Sequence, residues 1–406
     1  MTVLTSSVSC TQTETCFQDG KSDSQLRVKI ENNWYNLTQW QHQHPGGAKI
    51  LQHSNGLDVT DAFTSLHSKN AWTRLSKMHK TIAKLNDTPA PTKATLAFRR
   101  LRKQLEEDGW WKHDRKWELF YQLSVFMLTS FGTYISFAGH SIVAILLIGL
   151  GMQQAGWIGH DNTHGRGSLQ AWFAAFQSGV INGFSRKWWS EKHNIHHVYT
   201  NHIGIDADIE NDPLIHLFFP SIDKDVYFRR FQHYYFYIIS FFTFVSWRIQ
   251  SLQWIYRHKD INELTLTSIG YLWLVFLGWQ VALGSILLGG FLVAIIVTAT
   301  HQSEDMLDTL SDMSKYSFVE SQFATTRDVH TKSILMNYLW GGMQYQLEHH
   351  LFPTMPKYRY KALVPIIKQF ALENGIEYRV DGVWKLWQKN FKTLKHFAGS
   401  SPIEEQ

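Results

Sequence analysis

Two long stretches of the chain carry no charge. From Leu119 to His160 there is no Asp, Glu, Lys or Arg over 42 residues, and from Leu264 to Ser303 there is none over 40. One crossing of a bilayer takes about 20 apolar residues in a helix, so each stretch is long enough for two. Each predicts a helical hairpin with a very short turn. The first turn is expected at Ala138-Gly139-His140-Ser141 and the second at Leu283-Gly284-Ser285. A soluble core could bury helices this apolar, but uncharged stretches of this length favour the bilayer. The turns carry no Lys or Arg. The flanks do: Arg99, Arg100, Arg102, Lys103 and Arg115 precede the first hairpin, and Arg257 and Lys259 the second. Positive flanks stay on the cytosolic side, which places both termini in the cytosol and both turns in the lumen.

Around the hairpins the pattern changes. Pro89 and Pro91 mark a linker. In AFRRLRKQLEEDGWW, Phe98, Leu101 and Leu105 fall on one helical face among basic residues, which predicts an amphipathic helix on the membrane surface before Trp110 and Trp111. Residues 231–252 are rich in aromatics but contain Arg248, and are expected at the interface. A fifth span there would invert the second hairpin. Residues 1–24 are polar and Ser/Thr-rich, with no signal-peptide pattern, and are expected to be disordered. The only two cysteines, Cys10 and Cys16, sit in that tail, so no disulfide framework is expected. A net charge of +5 demands no nucleic-acid partner.

Histidines add the chemistry. HDNTH carries His160 and His164, HNIHH carries His193, His196 and His197, and QLEHH carries Gln346, His349 and His350. Residues three and four apart share a helix face, so three separate segments can each present imidazoles from one face. The first hairpin returns to the cytosol at His160. The second returns at His301, which belongs to no box but occupies the equivalent place. All eight histidines can therefore converge on one site just outside the bilayer, whereas a transporter would place its ligands near the midplane. Eight exceed what one zinc ion takes, and two metals with open positions fit better. Without HExxH a zinc peptidase is disfavoured. His202 lies off the face of its box. Asp161, Asn201, Asp206 and Asp208 are candidates for orienting the ligating rings.

A second metal system lies upstream. HPGG at 44–47 is followed by Asp58, Thr60, Phe63 and His67, and two histidines could clamp a haem from opposite sides. Residues 25–85 resemble cytochrome b5, which implies haem b held by His44 and His67 with no position open to substrate. Trp34, Tyr35 and Leu37 would then be strand and pocket residues, with His42 and His53 outside the motif.

A bis-histidine haem passes one electron at a time. A di-iron site accepts two and activates O2, and attack on an unactivated C–H bond needs an oxidant that redox-inert zinc cannot supply. The chemistry points to an iron oxygenase or desaturase acting on lipid. With HPGG, HDNTH, WWSEKHNIHH and GGMQYQLEHHLFP in that order, residues 25–380 resemble a front-end fatty acyl desaturase with a fused cytochrome b5 domain. Gln346, where other desaturases carry His, is the most specific mark; Thr163, where many members have Gly, leaves the subclass open. The resemblance implies two non-haem irons on His160, His164, His193, His196, His197, His301, His349 and His350, with Gln346 a weak or water-mediated ligand. It also implies O2 as co-substrate and electrons from NADH through cytochrome b5 reductase. The substrate would be a long-chain unsaturated acyl group on CoA or phospholipid, desaturated at a delta-5 or delta-6 type position in an endoplasmic reticulum membrane. A sphingolipid long-chain-base desaturase and a fatty acid hydroxylase are the alternatives, the latter disfavoured by Gln346; a bare haem electron carrier is disfavoured by the eight histidines.

The expected fold is mainly α. A disordered tail (1–24) precedes a small α+β cytochrome b5-like domain (25–85), and a linker with an interfacial helix follows (86–117). A four-span membrane domain with a cytosolic di-iron cap (118–380) and a C-terminal tail (381–406) complete the chain.

Overall fold

The computed structural model describes residues 25–81, 89–211, 213–221, 224–308 and 316–399. The predicted tail at 1–24, with both cysteines, lies outside them.

Alternating burial builds the N-terminal module. Strands β1 (Arg27–Ile30) and β2 (Asn33–Asn36) pair antiparallel, and β3 (Lys80–Thr81) adds to the other side of β2. Val28, Ile30 and Tyr35 point inward, as the two-residue strand period requires, and meet Leu26, Leu37 and Leu75. Helices α1 (Ala48–His53), α2 (Thr60–Leu66) and α3 (Lys69–Leu75) complete the module.

Helix α4 (Lys93–Glu107) is amphipathic as predicted, but protein covers its apolar face. Phe98 and Leu105 are buried with Val319, Phe323, Leu351 and Phe370. The hydrophobic pattern correctly identifies a face that must be covered; the later helices, not lipid, cover it.

The first hairpin is α5 (Arg115–Phe137) and α6 (Ser141–Thr163), turning at Gly139 with φ 86°. A left-handed residue is what glycine tolerates and other residues resist. The second is α11 (Ile261–Leu277) and α12 (Trp279–His301). Its turn is at Gly278, with φ 77°, not at Leu283-Gly284-Ser285. Gly284 lies within α12, where a Cβ would come 2.6 Å from Ile145 Cδ1 of α6. It is a packing glycine, absent of side chain so that two helices can approach. Gly149 and Gly151 serve α6 in the same way, against Leu288 and Thr129. Helix α6 is thereby clamped between α5 and α12, and both α6 and α12 end in histidines at one end of the bundle. Among the described residues these two helices are long and apolar enough to cross a membrane.

Between the hairpins, α7 (Ser168–Phe176) runs through a π-helical turn towards α8 (Arg186–Val198), which begins on a Ser185 cap. Strand β4 (His202–Ile203) follows. Residues 231–252 fall largely in α9 (Gln232–Ile239) and α10 (Thr243–His258). These rest Phe244 on α12 and expose Tyr234, Ile238 and Ile249. After α12, β5 (Leu307–Asp308) pairs with β4, and α13 (Phe318–Thr325) opens on a capping box of Ser317 and Glu320. Strand β6 (Asp328–His330), α14 (Ile334–Trp340), α15 (Gln346–Leu351) and α16 (Tyr360–Asn374) lead to β7 (Val380–Gly382), parallel to β6. The segment read as a C-terminal tail contains a helix, α17 (Val383–His396). It buries Leu386 and Leu394, and the Trp387 indole donates to the Ile295 carbonyl of α12 at 3.0 Å.

Candidate metal and haem sites

The eight predicted histidines come together, in two groups rather than one. His160, His164, His193, His197 and His349 form a cluster of five; His196, His301 and His350 form a triad. Within each group the candidate ligand atoms lie within 4.8 Å of one another. Successive residues on a helix point about 100° apart, so the neighbours His196 and His197 face different groups, as do His349 and His350. The groups touch where His197 stacks on His350, with ring centres 4.3 Å apart. His301, outside every box, completes the triad from the end of α12, with ring centres 4.8 Å from His196 and 4.7 Å from His350.

The surrounding groups orient the rings. His196 Nδ1 donates to Asp206 Oδ2 at 2.8 Å, His301 Nδ1 to the Thr325 carbonyl at 3.1 Å, and His350 Nδ1 to Gln322 Oε1 at 2.9 Å. The Tyr360 hydroxyl donates to the Met355 carbonyl and so accepts from His349 Nδ1 at 3.2 Å. With Nδ1 holding the proton, each of these four rings turns an unprotonated Nε2 inward, the state a metal ligand needs. Of the four predicted orienting residues, Asp206 fulfils the role directly. Asp208 lies 3.7 Å from His196 Nδ1, and Asn201 holds the His301 carbonyl at 3.0 Å. Asp161 instead pairs with Arg166. Gln322, Thr325 and Tyr360 were not foreseen. The capping box announces α13, but nothing in its spacing marks Gln322 or Thr325.

The donor set fits metal ions. His193 and His197 set Nε2 against Nε2 at 3.0 Å, and His349 Nε2 and His350 Nε2 are buried without a hydrogen-bond partner. Buried unpartnered polar atoms are costly, and facing lone pairs repel unless a cation lies between them. Burial holds His193, His197, His349 and His350 well below the ordinary histidine range, and neighbouring histidines push the same way. Burial and Arg166 lower His164 to about 3. These rings are neutral at pH 7 and available as ligands. For His196, burial lowers the pKa but Asp206 outweighs it, and the net shift is upward.

Gln346 sits beside the triad. Its Nε2 lies 2.8 Å from His301 Nε2, while its Oε1 is buried without a partner.

In the N-terminal module, His44 and His67 face each other with ring centres 5.9 Å apart. Each Nδ1 donates to a backbone carbonyl at 3.0 Å, Gly47 for His44 and Phe63 for His67, and Phe63 stacks on His67. Gly47 has φ 84°, which accounts for glycine there in HPGG. Burial lowers His67 to about 4, so its Nε2 also carries a free lone pair at pH 7.

The sequence profile of the family described as fatty acid desaturase matches residues 135–382. The chain belongs to the fatty acid desaturase family. A cytochrome b5-like haem/steroid binding domain matches residues 13–86 of this desaturase. A Delta(6)-fatty-acid desaturase of Caenorhabditis elegans is 30% identical over 93% of this chain and 97% of its own length. An acyl-lipid 8-desaturase of Rebecca salina is 30% identical over 91% of both chains. A Delta(5) fatty acid desaturase of Caenorhabditis elegans is 29% identical over 91% of this chain and 96% of its own. The desaturase is an O2-dependent oxidoreductase whose cofactors are haem and a di-iron centre.

Proposed function

We propose that this desaturase is a front-end enzyme. It inserts a cis double bond between an existing one and the carboxyl end of a long-chain unsaturated fatty acyl group, as a delta-5 or delta-6 type enzyme. The observation that carries this reading is Gln346, the odd residue of QLEHH, set against His301 in the smaller histidine group. The relatives named for Delta(6) and Delta(5) activity span nearly the whole chain and support it. Expression in a host fed a panel of polyunsaturated acids, with products located by mass spectrometry, tests it. A hydroxylated product, or a double bond in a sphingoid base alone, would sink it.

In this reading His160, His164, His193, His197 and His349 hold one iron, and His196, His301 and His350 the other. Bound iron would supply O2 activation: two hydrogens would leave the acyl chain, two electrons would come from the haem domain and two protons from solvent, and O2 would be reduced to two waters. Asp206, Gln322, Thr325 and Tyr360 fix the rings and their tautomers. NADH-cytochrome b5 reductase is the electron donor to the haem, and the acyl chain enters from the membrane on CoA or phospholipid.

Gln346 acts beside the triad through a bound water. A carboxamide is a weaker donor than imidazole but hydrogen-bonds a water well. Gln346→Ala should slow turnover about 10–100-fold, the scale of losses outside the ligand set, with most iron retained. Gln346→His restores a stronger donor but closes the open position, so activity should fall, not rise. Loss of one iron in Gln346→Ala would make Gln346 a direct ligand.

Four spans are proposed, α5, α6, α11 and α12, in the endoplasmic reticulum membrane with both termini cytosolic. Helix α5 exposes Phe126, Met127 and Phe131, and α11 exposes Leu272, Val275 and Phe276, the belt a bilayer would cover. Glycosylation acceptors inserted with spacers at Gly139 or Gly278 should be modified, and acceptors in the exposed loops at Gly204 or Gly375 should not. Modification at Gly204 or Gly375 would put the histidines in the lumen and overturn this topology.

A further inference from the structure

The haem cavity does not belong to the N-terminal module alone. It has a volume of about 990 Å³, in the range of small-molecule sites, and its walls come from both modules. His44, Phe63 and His67 line one side. His164, Arg186, Glu191, Asn194 and Trp254 of the desaturase module line the other. The modules are closely fitted around it. A Cβ on Gly47 would lie 2.4 Å from Glu191 Cγ. Buried Ser54 and Tyr199 share a hydrogen bond at 2.9 Å. Thr354 donates to the Ser65 carbonyl at 3.2 Å, and Arg99 grips Asp61 through two bonds of 2.8 Å.

The charges around the cavity are unbalanced. Its carboxylates are Glu191 and Asp260, and its Lys and Arg residues are Arg74, Arg186 and Lys187. Lys187 pairs with Asp260, and Glu191 accepts from the Trp254 indole. Arg186 has no ion pair among the described residues, and its Nε is buried without a hydrogen-bond partner. A guanidinium so placed calls for an anion, and its donors match a carboxylate. Haem b carries two.

We propose that the desaturase module completes the haem site, with Arg186 at the start of α8 as the partner of a haem carboxylate. Docking of the two modules is then part of haem binding. This rests on haem ligation by His44 and His67.

The test uses the full-length, haem-loaded protein in detergent. Its readouts are haem transfer to excess apomyoglobin and the haem midpoint potential. Arg186→Gln should speed haem release on the order of ten-fold, the scale of one charge-assisted bond. It should also shift the potential to more negative values, because a nearby cation favours the added electron. Arg186→Lys should recover part of both. Asp61→Arg, at a residue that does not itself line the cavity, should undock the modules, speed release, and blunt the further effect of Arg186→Gln. The swap Asp61→Arg with Arg99→Asp should restore slow release. Wild-type release and potential in folded Arg186→Gln, or wild-type release in Asp61→Arg, would overturn the inference. A wild-type protein lacking a b-type spectrum would instead remove the haem ligation on which it rests.

Discussion

Replacing His301 by alanine should leave a folded protein with one iron fewer, no measurable desaturation and an intact haem spectrum. His301 is one of three imidazoles in the smaller histidine group, and two rings with one carboxamide are a poor set for iron. The loss should exceed the 10–100-fold typical of residues that merely orient ligands. Metal analysis and the visible spectrum of the same sample separate the two cofactors. Full iron and full turnover in His301→Ala would reduce the residue to a polar end-group of α12.

His44→Ala or His67→Ala should give the converse pattern. The low-spin b-type spectrum disappears because one axial imidazole is lost, while the two histidine groups, built from other residues, keep their iron. Desaturation collapses, and returns only to the extent that free cytochrome b5 delivers electrons instead. Both rings are oriented by their own backbone hydrogen bonds, so neither can substitute for the other. An unchanged spectrum in either variant would refute the axial assignment.

Much of this site was readable from residue spacing, within definite physical limits. The boxes identify ligating faces, because helical period fixes which residues share a side. They do not say which face meets which. Hence the division of His196 from His197, and of His349 from His350, emerges only when α6, α8, α12 and α15 are packed together. His301 was legible for another reason: the two charge-free stretches are nearly equal in length, 42 and 40 residues, so two hairpins built from them are expected to end side by side. Glycine was ambiguous. Gly139 marks a turn and Gly284 a close helix contact, and local sequence does not separate these uses. The amphipathic pattern of α4 showed that Phe98 and Leu105 needed cover, but the cover lies more than 200 residues later, in Val319 and Phe323. Gln322 and Thr325 sit in a helix without any metal-binding spacing, and only their contacts with His350 and His301 reveal them.

The distribution of the histidines along the chain also sets an order of biogenesis. The larger group needs His349 and the triad needs His350, both from α15 near the end of the chain. A growing chain has made both hairpins, and exposed His160, His164 and the α8 histidines, before either group can close. The haem module, by contrast, has both of its ligands in its first stretch and can fold while the rest is still being translated. Haem can therefore begin to bind once α8 has supplied Arg186 to the cavity wall, whereas neither histidine group is complete for iron until α15 is made. A ribosome stalled before α15 would leave a haem protein with half-built iron sites, a species for cellular quality control to recognise.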